Sequence, residues 1–153
     1  MMTAIFNAAA IAAHRDACEN EILGFRRLRV RSADTGGRLG FFEEIVPPGE
    51  GVPLHIHHKE DEMFNVREGH FRIWCADEVF DVHPGDVVVL PRGVPHAFHN
   101  VGDVEGWLDV TVTPGGFETM FARAAEAGTQ GAERFMELAP DYGLEMLPGQ
   151  AAA

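Results

Sequence analysis

Residues 49–69, GEGVPLHIHHKEDEMFNVREG, bring His55, His57 and Glu62 into a span of eight positions. A later stretch, GDVVVLPRGVPHAFHN at residues 85–100, adds His96. Side chains two apart on an extended strand share a face, so a strand through this region points His55 and His57 the same way. Imidazoles and a carboxylate at this density suit one divalent first-row metal, with iron, manganese, nickel, cobalt, copper and zinc all compatible.

The sequence around these residues reads as short strands. Arg27, Arg29 and Arg31 alternate with Leu28 and Val30, the period of a half-buried strand whose arginines face solvent or acidic neighbours. ADTGG at 33–37 is a turn, and 39–46 is a second strand with Leu39, Phe41, Glu43 and Ile45 on one face. Leu54 to His57 is a short strand, and HKED at 58–61 reads as a solvated hairpin loop. Glu62, Phe64 and Val66 then alternate along the returning strand, which would set Glu62 beside the two histidines across that hairpin. Further strands are expected at 70–76 and 79–82, and at 87–90, whose continuous apolar run suits burial on both faces. His96, Phe98 and Asn100 share one strand face, and Leu108, Val110 and Val112 share another. At least eight short segments, with 17 glycines and nine prolines, predict an all-β antiparallel sandwich or barrel.

The ends of the chain read differently. Residues 1–20 are Ala-rich and predict an N-terminal arm or helix; 21–116 hold the strands; 117–153 predict a helical appendage and tail within the same domain. Phe117, Phe121, Ala124 and Ala125 have helical spacing, a second short helix is expected at 131–139, and the tail is expected to be extended. A length of 153 residues suits one core.

Bulk properties exclude several functions. A net charge of −12 argues against a nucleic-acid surface, which needs clustered Lys and Arg. No apolar run reaches the ~20 residues that cross a bilayer. The opening MMTAIFNAAAIAAH lacks a basic start, so no secretory signal is expected and a cytoplasmic location follows. Cys18 and Cys75 match no CxxC pattern and read as reduced thiols.

The two ligand-bearing stretches resemble the signatures of the cupin superfamily. GxxxxxHxHxxxxExxxxxxG is met by Gly49, His55, His57, Glu62 and Gly69, and GxxxxxPxGxxHxxxN by Gly85, Pro91, Gly93, His96 and Asn100. The resemblance implies a small jelly-roll β-barrel with metal ligands at His55, His57, Glu62 and His96. Softer matches from Asp34 to Leu147 (DTGGRL, TPGGFE and YGLEML) are similar to small bacterial cupins of the quercetin 2,3-dioxygenase-like group. That resemblance implies a metal-dependent dioxygenase in which Glu62 takes a proton from an enolic or flavonol hydroxyl. The substrate then chelates to the metal and reacts with dioxygen. It also implies a homodimer, to which an apolar N-terminal arm would contribute.

The chemistry suits the ligand set. Three neutral imidazoles and one carboxylate fill four of six octahedral positions and leave room for water, a substrate oxygen or dioxygen. A non-oxidative metal cupin (isomerase, decarboxylase or hydrolase) and a non-catalytic small-molecule-binding cupin use the same ligands. His58 and His99 are expected to be exposed or to orient a ligand, His70 and His83 to be surface residues, and Glu60 and Asp61 to lie in the solvated loop. Leu54, Ile56, Phe64, Val66 and Phe98 are candidates for a dry lining, depending on which face turns inward.

Overall fold

The computed structural model describes residues 26–149. The expected helix at residues 3–20, Cys18 and the extreme C-terminal tail lie outside the described residues. The strands are β1 (Arg26–Val30), β2 (Gly40–Val46), β3 (Gly51–His57), β4 (Asp61–Glu68), β5 (Phe71–Cys75), β6 (Glu78–Val82), β7 (Val87–Leu90), β8 (His96–Asn100), β9 (Gly106–Thr113) and β10 (Leu144–Met146). Two helices, α1 (Glu118–Ala125) and α2 (Gly131–Leu138), stand between β9 and β10.

Two antiparallel five-stranded sheets face each other, in the orders β1-β2-β9-β4-β7 and β10-β3-β8-β5-β6. The fold is thus all-β, with its few described helices C-terminal. Strict alternation sets the core. Leu108, Val110 and Val112 of β9 are fully buried, and they meet Phe42, Phe64, Phe71, Ile73 and Phe98 between the sheets. Phe64 and Phe98, from opposite sheets, pack edge to face at 5.3 Å between ring centres.

Three sequence expectations need correction. First, β3 and β4 do not form a hairpin. β3 pairs with β8 and β10, whereas β4 pairs with β7 and β9, so residues 58–60 carry the chain from one sheet to the other. Second, the apolar run of β7 is not buried on both faces. β7 is the edge of its sheet, leaving Val87 59% and Val89 60% exposed, with only Leu90 fully inside. Continuous apolar runs mark central strands only when both flanks are covered, and an edge has one flank. Third, the tail is extended, as expected, but it is also a sheet strand: Leu144 lies opposite His57 and Met146 opposite His55.

Turns fix how closely the strands approach. Gly69, after β4, has φ +88°, and a Cβ there would lie 2.6 Å from the Cα of Gly106. Only glycine satisfies both the left-handed backbone and that approach. Asn100, at the end of β8, is the polar counterpart. Its Nδ2 donates to the carbonyls of Val46 and Val104, each at 2.9 Å, and its Oδ1 accepts from the Gly102 N–H at 2.9 Å. One buried amide thereby ties the end of β2 to the loop between β8 and β9 at the same end of the barrel.

The helices lie against the inside-facing end of β2. Phe117 and Phe121 approach Phe42 at 6.4 and 5.1 Å between ring centres, and Phe135 of α2 stacks on Phe121 at 5.8 Å. Asn100→Ala leaves the buried Val46 carbonyl, the Val104 carbonyl and the Gly102 N–H without this partner, and is expected to cost about 1–3 kcal/mol of unfolding free energy. Urea denaturation checks this, and a loss below about 0.5 kcal/mol would show that the amide is replaceable.

Candidate metal centre

The strand pairing assembles the site. His55 and His57 point inward from β3, separated by the outward Ile56. His96 opens β8 directly opposite His55 in the register. Glu62 reaches in from β4 of the facing sheet. The sequence had placed it beside the histidines across a hairpin; the structure places it there across the barrel interior. All four side chains are buried, and one ligand atom from each lies within 4.8 Å of the others. Glu62 Oε2 is 3.1 Å from His96 Nε2 and 3.5 Å from His57 Nε2.

The surroundings fix which ring atoms face inward. His55 Nδ1–H donates to the Pro53 carbonyl at 2.7 Å, and His96 Nδ1–H donates to the Val94 carbonyl at 3.1 Å. Each bond leaves Nε2 with its lone pair toward the cluster, the orientation a metal ligand needs. His57 Nδ1 has no hydrogen-bond partner, and its nearest carboxylate is Glu60 Oε2 at 3.6 Å. That separation makes an ion pair rather than a hydrogen bond. Phe117 caps the His57 ring edge-on at 4.4 Å.

Electrostatics favour a cation among these atoms. Burial, with the charges of His96 and His57, pushes His55 down to about 3, so it stays neutral and its nitrogen remains a donor. Burial would raise the Glu62 carboxyl, but His57, His96 and His55 outweigh it and hold the group at about 2. Burial would lower His57, yet Glu62 and Glu60 together push it up. An ionised carboxylate surrounded by three imidazoles is a donor set that could hold one divalent metal.

Several residues join the site that sequence reasoning did not assign to it. Glu60 was expected in a solvated loop, but the crossover folds it under His57 and buries it. Asp61 does face solvent, paired with Arg92 Nη2 at 3.0 Å. Glu44 lies on the inner face of β2 between Phe42 and Val46, and its Oε1 accepts from Arg26 Nε at 2.9 Å. Burial raises the Glu44 carboxyl, and Arg26 draws it part of the way back. The alternation of β2 separated these residues from Phe41, Glu43 and Ile45, but nothing in it said which set turns inward. Arg29, on the other face, bonds Glu43 Oε1 at 2.6 Å, one of the acidic partnerships expected for the β1 arginines.

A pocket of about 440 Å³ opens over His55, His57 and Glu62. Arg26 and Glu44 line it, and so do Phe98 of the barrel and Phe117, Phe121 and Phe135 of the helical region. Of the proposed dry lining, Phe64, Val66 and Phe98 face the core, while Leu54 and Ile56 lie on the outer side of β3. The remaining histidines among the described residues stay away from the cluster. His58 pairs with Glu145 at 2.7 Å, His99 contacts the Gly49 carbonyl, and His70 bonds Asp81 at 2.8 Å while stacking on His83.

This arrangement agrees with comparisons to known proteins. Residues 42–115 match the family model for the cupin domain, which takes in every one of the four clustered side chains. The chain carries a cupin domain. It is 33% identical over 69 residues to an uncharacterized protein of Methanocaldococcus jannaschii, covering 45% of this chain and 55% of that one. It is 25% identical over 95 residues to quercetin 2,3-dioxygenase of Bacillus subtilis, covering 62% of this chain and 28% of that one. The chain spans about half, or less, of the length of these curated relatives. Among solved structures, KdgF from Halomonas sp. shares the fold, with a TM-score of 0.61 at 14% identity, covering 72% of this chain and 99% of that one. No helix among the described residues is long and apolar enough to cross a membrane.

The position of Glu60 yields a direct test of how the cupin's histidines are oriented. Glu60→Gln removes the charge beside His57 Nδ1 and is expected to weaken divalent-metal affinity by about 10–100-fold. Competition against a metal-sensitive dye measures this, and unchanged affinity would mean that Glu60 does not orient His57.

Proposed function

We propose that this chain is a metal-dependent cupin dioxygenase acting on an aromatic or enolic small molecule. His55, His57, Glu62 and His96 are its metal ligands in this reading. The observation that carries it is the pairing of that cluster with an aromatic-walled pocket: four convergent donors at the base and four phenylalanines along the sides. The similarity to quercetin 2,3-dioxygenase of Bacillus subtilis supports the same class of substrate.

A divalent transition metal held there would supply Lewis acidity toward a substrate oxygen and redox capacity toward dioxygen. The residues of the chain supply the rest. Glu62 is the proton acceptor for an acidic substrate hydroxyl in this reading, since its carboxylate lines the pocket at the centre of the cluster. His96 Nε2 lies 3.1 Å from Glu62 Oε2, so both donors face the same point. Phe98, Phe117, Phe121 and Phe135 exclude bulk water and offer ring faces to a flat substrate. Arg26 is engaged by Glu44, so it does not confer the uncompensated positive charge that a sugar phosphate or small dicarboxylate would need. The proposal takes a small molecule as the partner, with no nucleic acid or membrane, and includes homodimerisation and a cytoplasmic setting.

Oxygen-electrode assays of the metal-loaded protein against flavonols, catechols and β-diketones test this reading. Dioxygen uptake should depend on bound metal, and Glu62→Gln should slow it by about 100-fold or more. Turnover of the same compounds at an undiminished rate under nitrogen would contradict a dioxygenase and favour an isomerase, decarboxylase or hydrolase. Metal-loaded Glu62→Gln working at the original rate would refute the assignment of the base.

A further inference from the structure

The chamber over the cluster borders a second space. A groove of about 370 Å³ runs along β10, the edge strand of its sheet, and Leu144, Glu145 and Met146 all line it. Successive residues of a strand face opposite sides, so a cavity that touches all three wraps around the free edge of the strand. Leu144 and Met146, opposite His57 and His55 in the register, also line the chamber. Glu145, opposite Ile56, lines the groove alone. Chamber and groove therefore meet at the edge of β10.

Met136 of α2 is the third residue common to both spaces. The three shared side chains differ in freedom. Leu144 is 5% exposed and belongs to the core, whereas Met136 is 52% exposed and Met146 is half-buried. Methionine is unbranched and turns about three bonds, so these two side chains can part without movement of the backbone. The boundary between chamber and groove is closed by the most adaptable side chains available.

The lining of the groove decides what fits it. Ala139, Pro140 and the two methionines give it apolar sides. Its two ionisable groups, His58 and Glu145, approach to 2.7 Å and occupy each other, so neither is free to bind an ionic substituent. The complement of such a surface is an uncharged apolar ring or chain.

We propose that this groove is a second part of the binding site, and that it takes an apolar extension of the substrate which leaves the chamber between Met136 and Met146. The inference rests on the reading of the chamber as a site for an aromatic or enolic molecule. It adds to that class a ring or chain of several carbons, projecting away from the oxygen that meets the four-ligand cluster. Met136 and Met146 are specificity-determining residues in this scheme, because they set which extensions pass.

The test is equilibrium binding by fluorescence, under nitrogen, to the full chain with its metal content measured. The probes are 3-hydroxychromones that carry at carbon 2 a methyl group, an octyl chain, or a chain of the same length ending in a carboxylate. The wild type should bind the octyl compound tighter than the methyl compound by about tenfold or more, and should bind the carboxylate chain less well than the octyl. Met136→Trp, at an exposed helix position, should cut the advantage of octyl over methyl by about tenfold. Glu145→Lys alters charge in the groove and not in the chamber. It should strengthen binding of the carboxylate chain by about threefold or more, while the methyl and octyl compounds stay within about twofold of wild type.

A wild type that binds octyl no better than methyl overturns the proposal without recourse to any variant, and leaves the reading of the chamber intact. An octyl advantage that survives in Met136→Trp, or a carboxylate chain indifferent to Glu145→Lys, also overturns it, since the chain then lies elsewhere. Failure of the wild type to bind any of the three compounds overturns both readings together.

Discussion

The structure depends on keeping an ionised carboxylate in the middle of an apolar barrel. An isolated charge there would be prohibitively costly. Glu62 is tolerable because His57, His96 and His55 surround it, and their attraction exceeds the penalty of burial. The arrangement requires strands from both sheets. β3 and β8 bring the imidazoles from one side, and β4 brings the acid from the other. Opposite charges meet only where the jelly roll closes, so the site and the fold share one constraint.

That constraint explains what the sequence could and could not convey. The spacing of His55 and His57 is readable because a strand repeats every two residues, and the turns around Gly69, Gly85 and Gly93 are readable because glycine adopts positive φ there. The matches at His96 and Asn100 located the second half of the site. The sheet to which each strand belongs was not readable. A short polar loop such as residues 58–60 serves equally as a hairpin or as a crossover, and only tertiary pairing decides. The burial of Glu60 follows from that choice, so a run that looked solvated became part of the support for His57. Likewise, the apolar residues of β7 carry no local mark of an edge, and Val87 and Val89 look no different from core valines until the neighbouring strands are placed.

The chamber above the cluster draws on distant parts of the chain. Arg26 comes from β1, Glu44 from β2, Phe98 from β8, and Phe117, Phe121 and Phe135 from the helical region. Helical periodicity showed that Phe117 and Phe121 share a side, but not that this side turns toward the ligand cluster. Their packing against Phe42 and Phe135 fixes the walls, so the pocket lining is also part of the core. The Arg26–Glu44 pair is the exception in that wall. It puts a buried polar pair into otherwise apolar surroundings.

The most direct measurement is an anomalous difference map from crystals of protein purified without chelators, collected across the absorption edges of manganese, iron, cobalt, nickel, copper and zinc. The account predicts one strong peak per chain at roughly 2.0–2.3 Å from nitrogens of His55, His57 and His96 and an oxygen of Glu62. Crystals soaked in each of these metals that show no peak among those four side chains would contradict it.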